Sequence, residues 1–257
     1  VQRGLSKLGV KKGTIVAGFV PNCAETVISM LAVSSLGGVW TSCSPDFGAN
    51  GVVDRFGQVN PHILITSNGY SYNGKLFKLE EKVNGVLESI DSIRHIVEIE
   101  YVDIKSNFNH DSIISFGDIL SDEQTQPTFE QLPFDHPLFI MYSSGTTGPP
   151  KSIVHSAGGT LIQHMKEHQL HCDIKAGKST MFWFTTCGWM MWNWLVSGLS
   201  SGSTIVLYDG SPSYPGLERL WKMIDDFNIT HFGTSPKFLS ACDSANILPN
   251  KFCKFGS

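Results

Sequence analysis

Short apolar runs alternate with segments of helical periodicity from the N-terminus to Val102. The runs are rich in Val, Ile and Phe, which is typical of buried strands. We predict strands at Thr14–Val20, Val39–Cys43, Pro61–Thr66 and Arg94–Val102. Apolar residues at helical spacing predict intervening helices at Ala24–Leu36, Ala49–Val59 and Lys75–Ile90. Because parallel neighbours are joined by crossover helices, this alternation indicates a parallel sheet.

The alternation resumes after a polar, irregular segment at Asp103–Pro133, which we interpret as a loop or linker. Further strands are predicted at Pro137–Tyr142, Ser179–Thr185, Thr204–Tyr208 and Ile229–Gly233. Further helices are predicted at Thr160–Leu170, Trp189–Leu199, Pro215–Phe227 and Ser235–Asp243. The pattern therefore predicts an α/β fold with two parallel-sheet subdomains, residues 1–133 and residues 134–257.

Composition adds few constraints to this picture. A net charge of −4 gives no bias toward nucleic acid or an anionic membrane, and no apolar run reaches the roughly 18 residues of a membrane span. The six cysteines show neither close pairs nor zinc-type spacing, so buried thiols in a reducing cytosol are expected. His164 and His168 form an i, i+4 pair, but the pattern supplies no third ligand. We interpret that pair as part of a solvated helix face and predict no metal site.

The segment from Tyr142 to Lys151 concentrates hydroxyl side chains, two glycines and one lysine between a strand and a helix. Glycine permits backbone N–H groups to turn toward an anion, and small hydroxyl side chains add donors without bulk. Lys151 adds a compact positive charge. The spacing differs from the common P-loop, since two prolines separate Gly148 from Lys151. These features favour a phosphate-binding loop over the alternative, a Ser/Gly-rich surface turn.

Residues 143–151, Ser-Ser-Gly-Thr-Thr-Gly-Pro-Pro-Lys, resemble the phosphate loop of the adenylate-forming enzymes, a superfamily that includes acyl-CoA synthetases. The similarity covers nearly the whole chain. The similarity is strongest to the branch of the superfamily that activates acetoacetate. It is most evident in four segments: Ser44–Phe56, Pro137–His168, Gly188–Trp194 and Val206–Pro212. The resemblance implies that the two subdomains belong to the large N-terminal domain of that fold, with the second truncated at its C-terminus.

The resemblance also implies roles for individual residues. The residues expected to bind the nucleotide phosphates are Ser143, Ser144, Gly145, Thr146, Thr147, Gly148 and Lys151. Two of them, Lys151 and Thr147, are also expected to be catalytic. His155 would either join this site or be a core histidine. Arg55 would either contact the CoA nucleotide or lie on a helix surface. Gly188 and Trp189 would line the acyl pocket, the alternative for Trp189 being the core; most of the following Met and Trp residues are expected in the core.

The implied activity is a two-step, ATP-dependent ligation of acetoacetate to CoA through an acyl-adenylate, with Mg²⁺ beside the phosphates. The implied partners are these small molecules, without nucleic acid, membrane or a protein partner, in the cytosol. The family's adenine, ribose and C-terminal lysine motifs are not found after Ser235, so we expect a fragment that is inactive alone. Two alternatives stay open: a non-catalytic truncated isoform and another short-chain acyl-CoA synthetase.

Overall fold

The computed structural model describes residues 1–120, 126–143 and 148–254. The chain forms two compact units. The first contains Val1–Tyr70 and Leu76–Thr160, and the second contains Ser71–Lys75 and Leu161–Ser257. The predicted subdomain boundary after residue 133 does not coincide with this division, because the strand that follows it pairs within the first sheet.

Helices and strands alternate through the described residues. The α-helices are α1 (Gln2–Lys7), α2 (Ala24–Ser35), α3 (Ala49–Phe56), α4 (Glu80–Ser89), α5 (Ala157–Lys166), α6 (Met190–Ser197), α7 (Arg219–Asp226) and α8 (Pro236–Ser244). The strands are β1 (Ile15–Phe19), β2 (Val39–Cys43), β3 (Ile63–Ser67), β4 (Gly69–Tyr72), β5 (Lys75–Lys78), β6 (His95–Ile99), β7 (Ile113–Ser115), β8 (Pro137–Ser143), β9 (Lys151–Ser156), β10 (Thr180–Trp183), β11 (Thr204–Val206) and β12 (His231–Gly233). Single 3₁₀ turns lie at Phe116–Ile119, Gly198–Ser201 and Pro249–Lys251, and a π-helical turn lies at Glu167–His171.

The first unit is built on a seven-stranded sheet with the order β7-β6-β3-β1-β2-β8-β9. Its strands are parallel except β9, which runs antiparallel to β8. Strands β2 and β3 are buried along their whole length, as expected when helices cover both faces of a parallel sheet. The mixed α/β prediction and its parallel sheet are therefore confirmed.

The core of the first unit lies where α3 and α4 cover one face of this sheet. Phe19 and Leu64 of the sheet pack there with Val52 and Phe56 of α3 and with Val83 of α4. On the opposite face of the sheet, the backbone of Gly18 lies close to the buried ring of Trp40. A Cβ at position 18 would be 2.6 Å from that ring. Gly18 therefore leaves the room in which that indole packs.

The second unit contains a three-stranded parallel sheet with the order β11-β10-β12. On one face, Phe182 packs with Leu220 and Trp221 of α7 and with Phe238 of α8. On the other face, Met181 packs with Trp194 and Leu195 of α6. Neighbouring residues of β10 therefore enter different clusters, because side chains alternate across a strand.

Three predicted helices were wrong at their beginnings, and the one predicted from Pro215 starts at Arg219. The helix predicted at Lys75–Ile90 starts at Glu80, since Lys75–Lys78 is strand β5 and pairs with β4. Asn73 (φ 49°) and Gly74 (φ 72°) both occupy left-handed conformations, which is the geometry that an Asn-Gly hairpin turn requires. The helix predicted from Thr160 begins at Ala157 and its last turn is π-helical.

Besides the hairpin strands β4 and β5, two strands were missed because their pairing is tertiary. Strand β9 follows directly after Pro149 and Pro150 and is recognisable only by its ladder with β8. Strand β7 lies within the predicted loop at Asp103–Pro133 and pairs with β6 at the sheet edge. The 3₁₀ turn after β7 is capped by Ser115, whose Oγ accepts a hydrogen bond from the Gly117 N–H.

Further sequence expectations concern cysteines, membranes and histidines. All cysteines are free thiols, and burial raises the pKa of Cys43 to about 12. None of the helices in the described ranges has the length and apolar character of a membrane span. The solvated face predicted for the histidine pair was wrong, since both His164 and His168 are buried.

Burial of His168 makes the second unit sensitive to acid. The imidazole is fully buried, its ring centroid lies 4.5 Å from that of Trp194, and neither ring nitrogen makes a well-formed hydrogen bond. Burial lowers the His168 pKa, and the Trp194 backbone and Glu167 offset only part of that shift. The folded state therefore favours the neutral ring. The free energy of unfolding of the second unit is therefore highest when the pH is above 6.5, the ordinary pKa of histidine, and it declines as the pH falls below that value.

We predict that His168→Phe reduces the acid-induced loss of stability between about pH 7 and pH 5. All tryptophans except Trp40 lie in the second unit, so denaturant unfolding followed by indole fluorescence reports mainly on that unit. The matched control is His171→Phe at an exposed position, which is expected to leave the pH dependence as in the unmodified chain. Identical pH dependence in both variants would contradict the role of His168.

Candidate functional site

Strands β8 and β9 hold the two ends of the predicted phosphate loop. Their antiparallel ladder places Ser143 opposite Lys151 and Tyr142 opposite Ser152. The four central loop residues, Ser144, Gly145, Thr146 and Thr147, lie outside the described residues. The loop leaves the carboxyl end of β8, the edge of a parallel sheet at which ligands of open α/β folds bind.

The described part of the loop approaches β9 through an unusual backbone. Gly148 has a φ of +113°, and a Cβ there would meet no atom within 4 Å. Glycine is therefore required by the backbone conformation and not by lack of space. Pro149 and Pro150 follow with fixed φ angles and no N–H groups. Residues 148–150, the limb of the loop that leads into β9, therefore form a stiff segment up to Lys151.

Lys151 and His155 share one face of β9, since residues two and four apart project to the same side of a strand. Lys151 is exposed at the start of the strand, where its ammonium group can reach a ligand in solvent. His155 is half-buried, and its ring centroid lies 5.2 Å from that of Phe139. Burial lowers the His155 pKa, so the ring is a neutral hydrogen-bonding group at neutral pH.

Arg55 occupies the last turn of α3 and packs between two aromatic rings. Its guanidinium carbon lies 4.6 Å from the centroid of Phe47 and 6.0 Å from the centroid of Tyr142. Its Nη1 donates to the carbonyl of Gly51 at 2.6 Å. Arg55 is therefore half-buried against the strand that leads into the loop.

Tyr142 and Thr41 connect this arginine to the centre of the sheet. The Thr41 hydroxyl lies 3.0 Å from the Tyr142 hydroxyl and 2.9 Å from the carbonyl of Ile140. Burial raises the pKa of Tyr142, so the phenol stays protonated. The aromatic contact and the hydroxyl pair fix the ring beside Arg55 at the entrance to the loop.

Gln58 is a site residue that the sequence analysis missed. Its Nε2 donates to the carbonyl of Pro150 at 2.6 Å, and its Oε1 accepts from the Ser152 hydroxyl at 2.9 Å. These bonds join positions 92 and 94 residues apart in the chain. No local pattern carries such a contact, because it exists only after β9 has paired with β8.

Gly188 and Trp189 belong to the second unit. Gly188 lies in the turn after β10, and Trp189 precedes α6 with 65% of its surface exposed. Trp192 is fully buried and Trp194 nearly so, as expected for the core. Met190 is instead 48% exposed, so the apolar face of α6 is narrower than its composition suggests.

The first unit thus brings together Ser143, Gly148, Lys151 and His155 on the β8–β9 hairpin, with Arg55 against β8. Hydroxyls, a lysine and a neutral imidazole suit a polyphosphate. They do not suit Mg²⁺, which prefers carboxylate oxygens, and the described residues contain no cluster of acidic or imidazole groups that could hold a metal. The described residues of this hairpin therefore suit the phosphates of a nucleotide and supply no carboxylate for a metal ion.

Comparisons with known proteins show what the chain is similar to. Residues 2–254 match the family described as AMP-binding enzyme. Acetoacetyl-CoA synthetase of Gallus gallus is 46% identical over 95% of this chain, and acetoacetyl-coenzyme A synthetase of Rhizobium meliloti is 46% identical over 97%. Malonamoyl-CoA synthetase vrtB of Penicillium aethiopicum is 40% identical over 96% of the chain.

The structural comparison extends the likeness to the fold. The structure titled acetoacetyl-CoA synthetase from Streptomyces lividans superposes with a TM-score of 0.92, at 43% identity over 97% of this chain. The chain spans about 38% of the length of these relatives.

The exposures of the two tryptophans predict different costs of truncation. Trp192→Ala removes a fully buried indole and should lower the free energy of unfolding by roughly 3–5 kcal/mol. Trp189→Ala removes a mostly exposed indole, and the expected loss is about 0.5 kcal/mol or less. Denaturant unfolding of both variants measures the difference. Comparable losses would assign Trp189 to the core and contradict its exposed position.

Proposed function

The chain belongs to the AMP-binding enzyme family, and from this we propose that the protein it represents is an ATP-dependent acid–thiol ligase. We further propose acetoacetate as the acid, CoA as the thiol and acetoacetyl-CoA as the product. The observation that carries the proposal is the 46% identity to acetoacetyl-CoA synthetases across 95% of the chain, which includes the loop between β8 and β9. The cytosol is the proposed location.

The first step joins the acid to the nucleotide. A carboxylate oxygen attacks the α-phosphorus of ATP, a P–O bond forms, and pyrophosphate leaves with the electrons of the broken P–O bond. Lys151 would neutralise the charge that develops on the departing pyrophosphate, and the hydroxyls of Ser143, Ser144, Thr146 and Thr147 would donate to its oxygens. Catalysis is then mainly alignment and charge stabilisation.

The second step releases the thioester. The CoA sulfur attacks the acyl carbon of the adenylate, AMP leaves, and the thiol proton passes to solvent. Arg55 would meet the CoA nucleotide with the guanidinium edge that does not face Phe47, and His155 would border the phosphate site as a neutral ring. Gly188 and Trp189 would line the acyl pocket. Mg²⁺ would enter with the ATP phosphates and supply additional neutralisation there.

A second candidate is a ligase for another short carboxylate. The 40% identity to a malonamoyl-CoA synthetase favours this alternative. Acetoacetate and malonamate share a three-carbon core with a polar group on the third carbon. A non-catalytic polypeptide is the remaining alternative. Since the chain spans about 38% of its relatives' length, we propose that residues 1–257 alone do not complete the reaction.

The deciding assay uses the complete translated protein that contains residues 1–257, supplied with ATP, Mg²⁺, CoA and acetoacetate or malonamate. We expect acetoacetyl-CoA by mass detection and acetoacetate-dependent pyrophosphate–ATP exchange. Lys151→Ala should slow the exchange about 100-fold, because one preorganised charge is lost in the transition state. Preference for malonamate would support the second candidate. No thioester from either acid would leave the non-catalytic alternative, and turnover by residues 1–257 alone would contradict their proposed inactivity.

Acyl selectivity tests the role of Trp189. If its indole walls the acyl pocket, Trp189→Gly should admit longer 3-oxo acids, since one methylene in an apolar pocket is worth roughly 1–3 kcal/mol. The measurement is kcat/KM for 3-oxo acids of increasing length. A selectivity profile unchanged by Trp189→Gly would remove Trp189 from the pocket.

A further inference from the structure

Gln58 uses its side-chain amide to link α3 to the limb of the phosphate loop that leads into β9. It lies two residues after the last residue of α3. Its Nε2 donates to the Pro150 carbonyl at 2.6 Å, and its Oε1 accepts from the Ser152 hydroxyl at 2.9 Å. The two partners are the residues immediately before and after Lys151, so one amide group holds the backbone on both sides of that lysine.

The limb that Gln58 contacts offers few backbone N–H groups for hydrogen bonds that would fix its conformation. Pro149 and Pro150 have no N–H groups, and Gly148 is in a conformation that favours glycine. Within the β8–β9 ladder, Lys151 and Ser152 pair with Ser143 and Tyr142, whereas Pro150 precedes the first residue of β9. The Pro150 carbonyl therefore obtains its hydrogen bond from a side chain outside the hairpin.

Gln58 is itself anchored at the end of α3. Its Nε2 also donates to the carbonyl of Asp54 at 2.6 Å, one of the carbonyls that a helix C-terminus leaves without an intrahelical partner. Arg55, in the same turn, packs against Tyr142, which lies opposite Ser152 in the ladder. The end of α3 therefore contacts both strands at the mouth of the loop, one through Arg55 and the other through Gln58.

We propose that Gln58 is a positioning residue for adenylate formation. By fixing the backbone at Pro150 and Ser152, it sets the point from which the Lys151 side chain extends toward the phosphates. This proposal rests on the proposed function for its effect on the reaction. The anchoring of the limb can be tested without any activity.

A positioning role and a purely structural role predict different results. Pyrophosphate has already left when CoA attacks, so the limb is needed in the first step and not in the second. Loss of the anchor should slow adenylate formation alone. General damage to the fold would slow both steps and lower the melting temperature.

The experiment compares four variants of the complete translated protein with the unmodified protein. Gln58→Leu removes all three hydrogen bonds, Ser152→Ala removes one of them, and the double variant closes the cycle. The matched control is Gln131→Leu, which removes an exposed glutamine amide whose bond within the described residues goes to the nearby Phe129 carbonyl, at 3.5 Å. Each is assayed for acetoacetate-dependent pyrophosphate–ATP exchange, for thioester formation from preformed acetoacetyl-adenylate and CoA, and for deuterium uptake of peptides within 148–156.

We expect Gln58→Leu to slow the exchange reaction about 10-fold, as the loss of two hydrogen bonds to one segment implies. Thioester formation from the adenylate should be unchanged, and deuterium uptake in 148–156 should rise. Ser152→Ala should add little in the Gln58→Leu background, because the two residues act through the same contact. Gln131→Leu should match the unmodified protein in every measurement.

Equal slowing of both steps by Gln58→Leu, with a lower melting temperature, would overturn the positioning role. Unchanged deuterium uptake would overturn the anchoring itself. If the unmodified protein showed no exchange reaction with any acid, the proposed function would fail and the effect on catalysis would fail with it. Uptake in 148–156 would then still decide whether Gln58 anchors the limb.

Discussion

The antiparallel pairing of β9 with β8 is the constraint on which the candidate site depends. Every other neighbouring pair in the seven-stranded sheet is parallel, and parallel pairs need a crossover between their strands. A hairpin at the end of the sheet instead returns the chain at once. It therefore holds Ser143 and Lys151 opposite one another at the two ends of the loop. A crossover connection would let these ends separate, and Lys151 would no longer lie opposite Ser143.

Helix α3 supports this hairpin through side-chain contacts from its C-terminal end. Phe56 and Val52 bury α3 against the core of the first unit, so the end of the helix has a defined place. Arg55 and Gln58 then carry that rigidity to the hairpin by a cation–π contact and two hydrogen bonds. The energy of any one of these contacts is small. In the proposed reaction they would act by orienting Lys151, since an electrostatic donor stabilises a transition state only when it is already aimed at the developing charge.

The second unit shows how a polar side chain can be buried without a well-formed partner. His168 lies in a π-helical turn at the end of α5, against Trp194 of α6. His164, four residues earlier on α5, is buried as well, so the two histidines lie on one inward-facing side of the helix. The cost is a dependence of stability on pH, since the buried ring must stay neutral. The same α6 begins directly after exposed Trp189, beside the turn that the family resemblance assigns to the acyl pocket.

The sequence by itself determined most strands and helices, because apolar periodicity records burial residue by residue: β2 was predicted at its observed bounds and α2 to within one residue. It also determined the family, and it predicted a phosphate-binding loop, since glycines, hydroxyls and a lysine at this spacing suit a phosphate. It did not place β7 or β9, and it missed the turn at Asn73 and Gly74 that removes a helical turn from α4. Only the tertiary structure decided which side chains support the loop. Gln58 and Pro150 are far apart in the chain, and their hydrogen bond follows from strand order and helix packing, which no local pattern encodes.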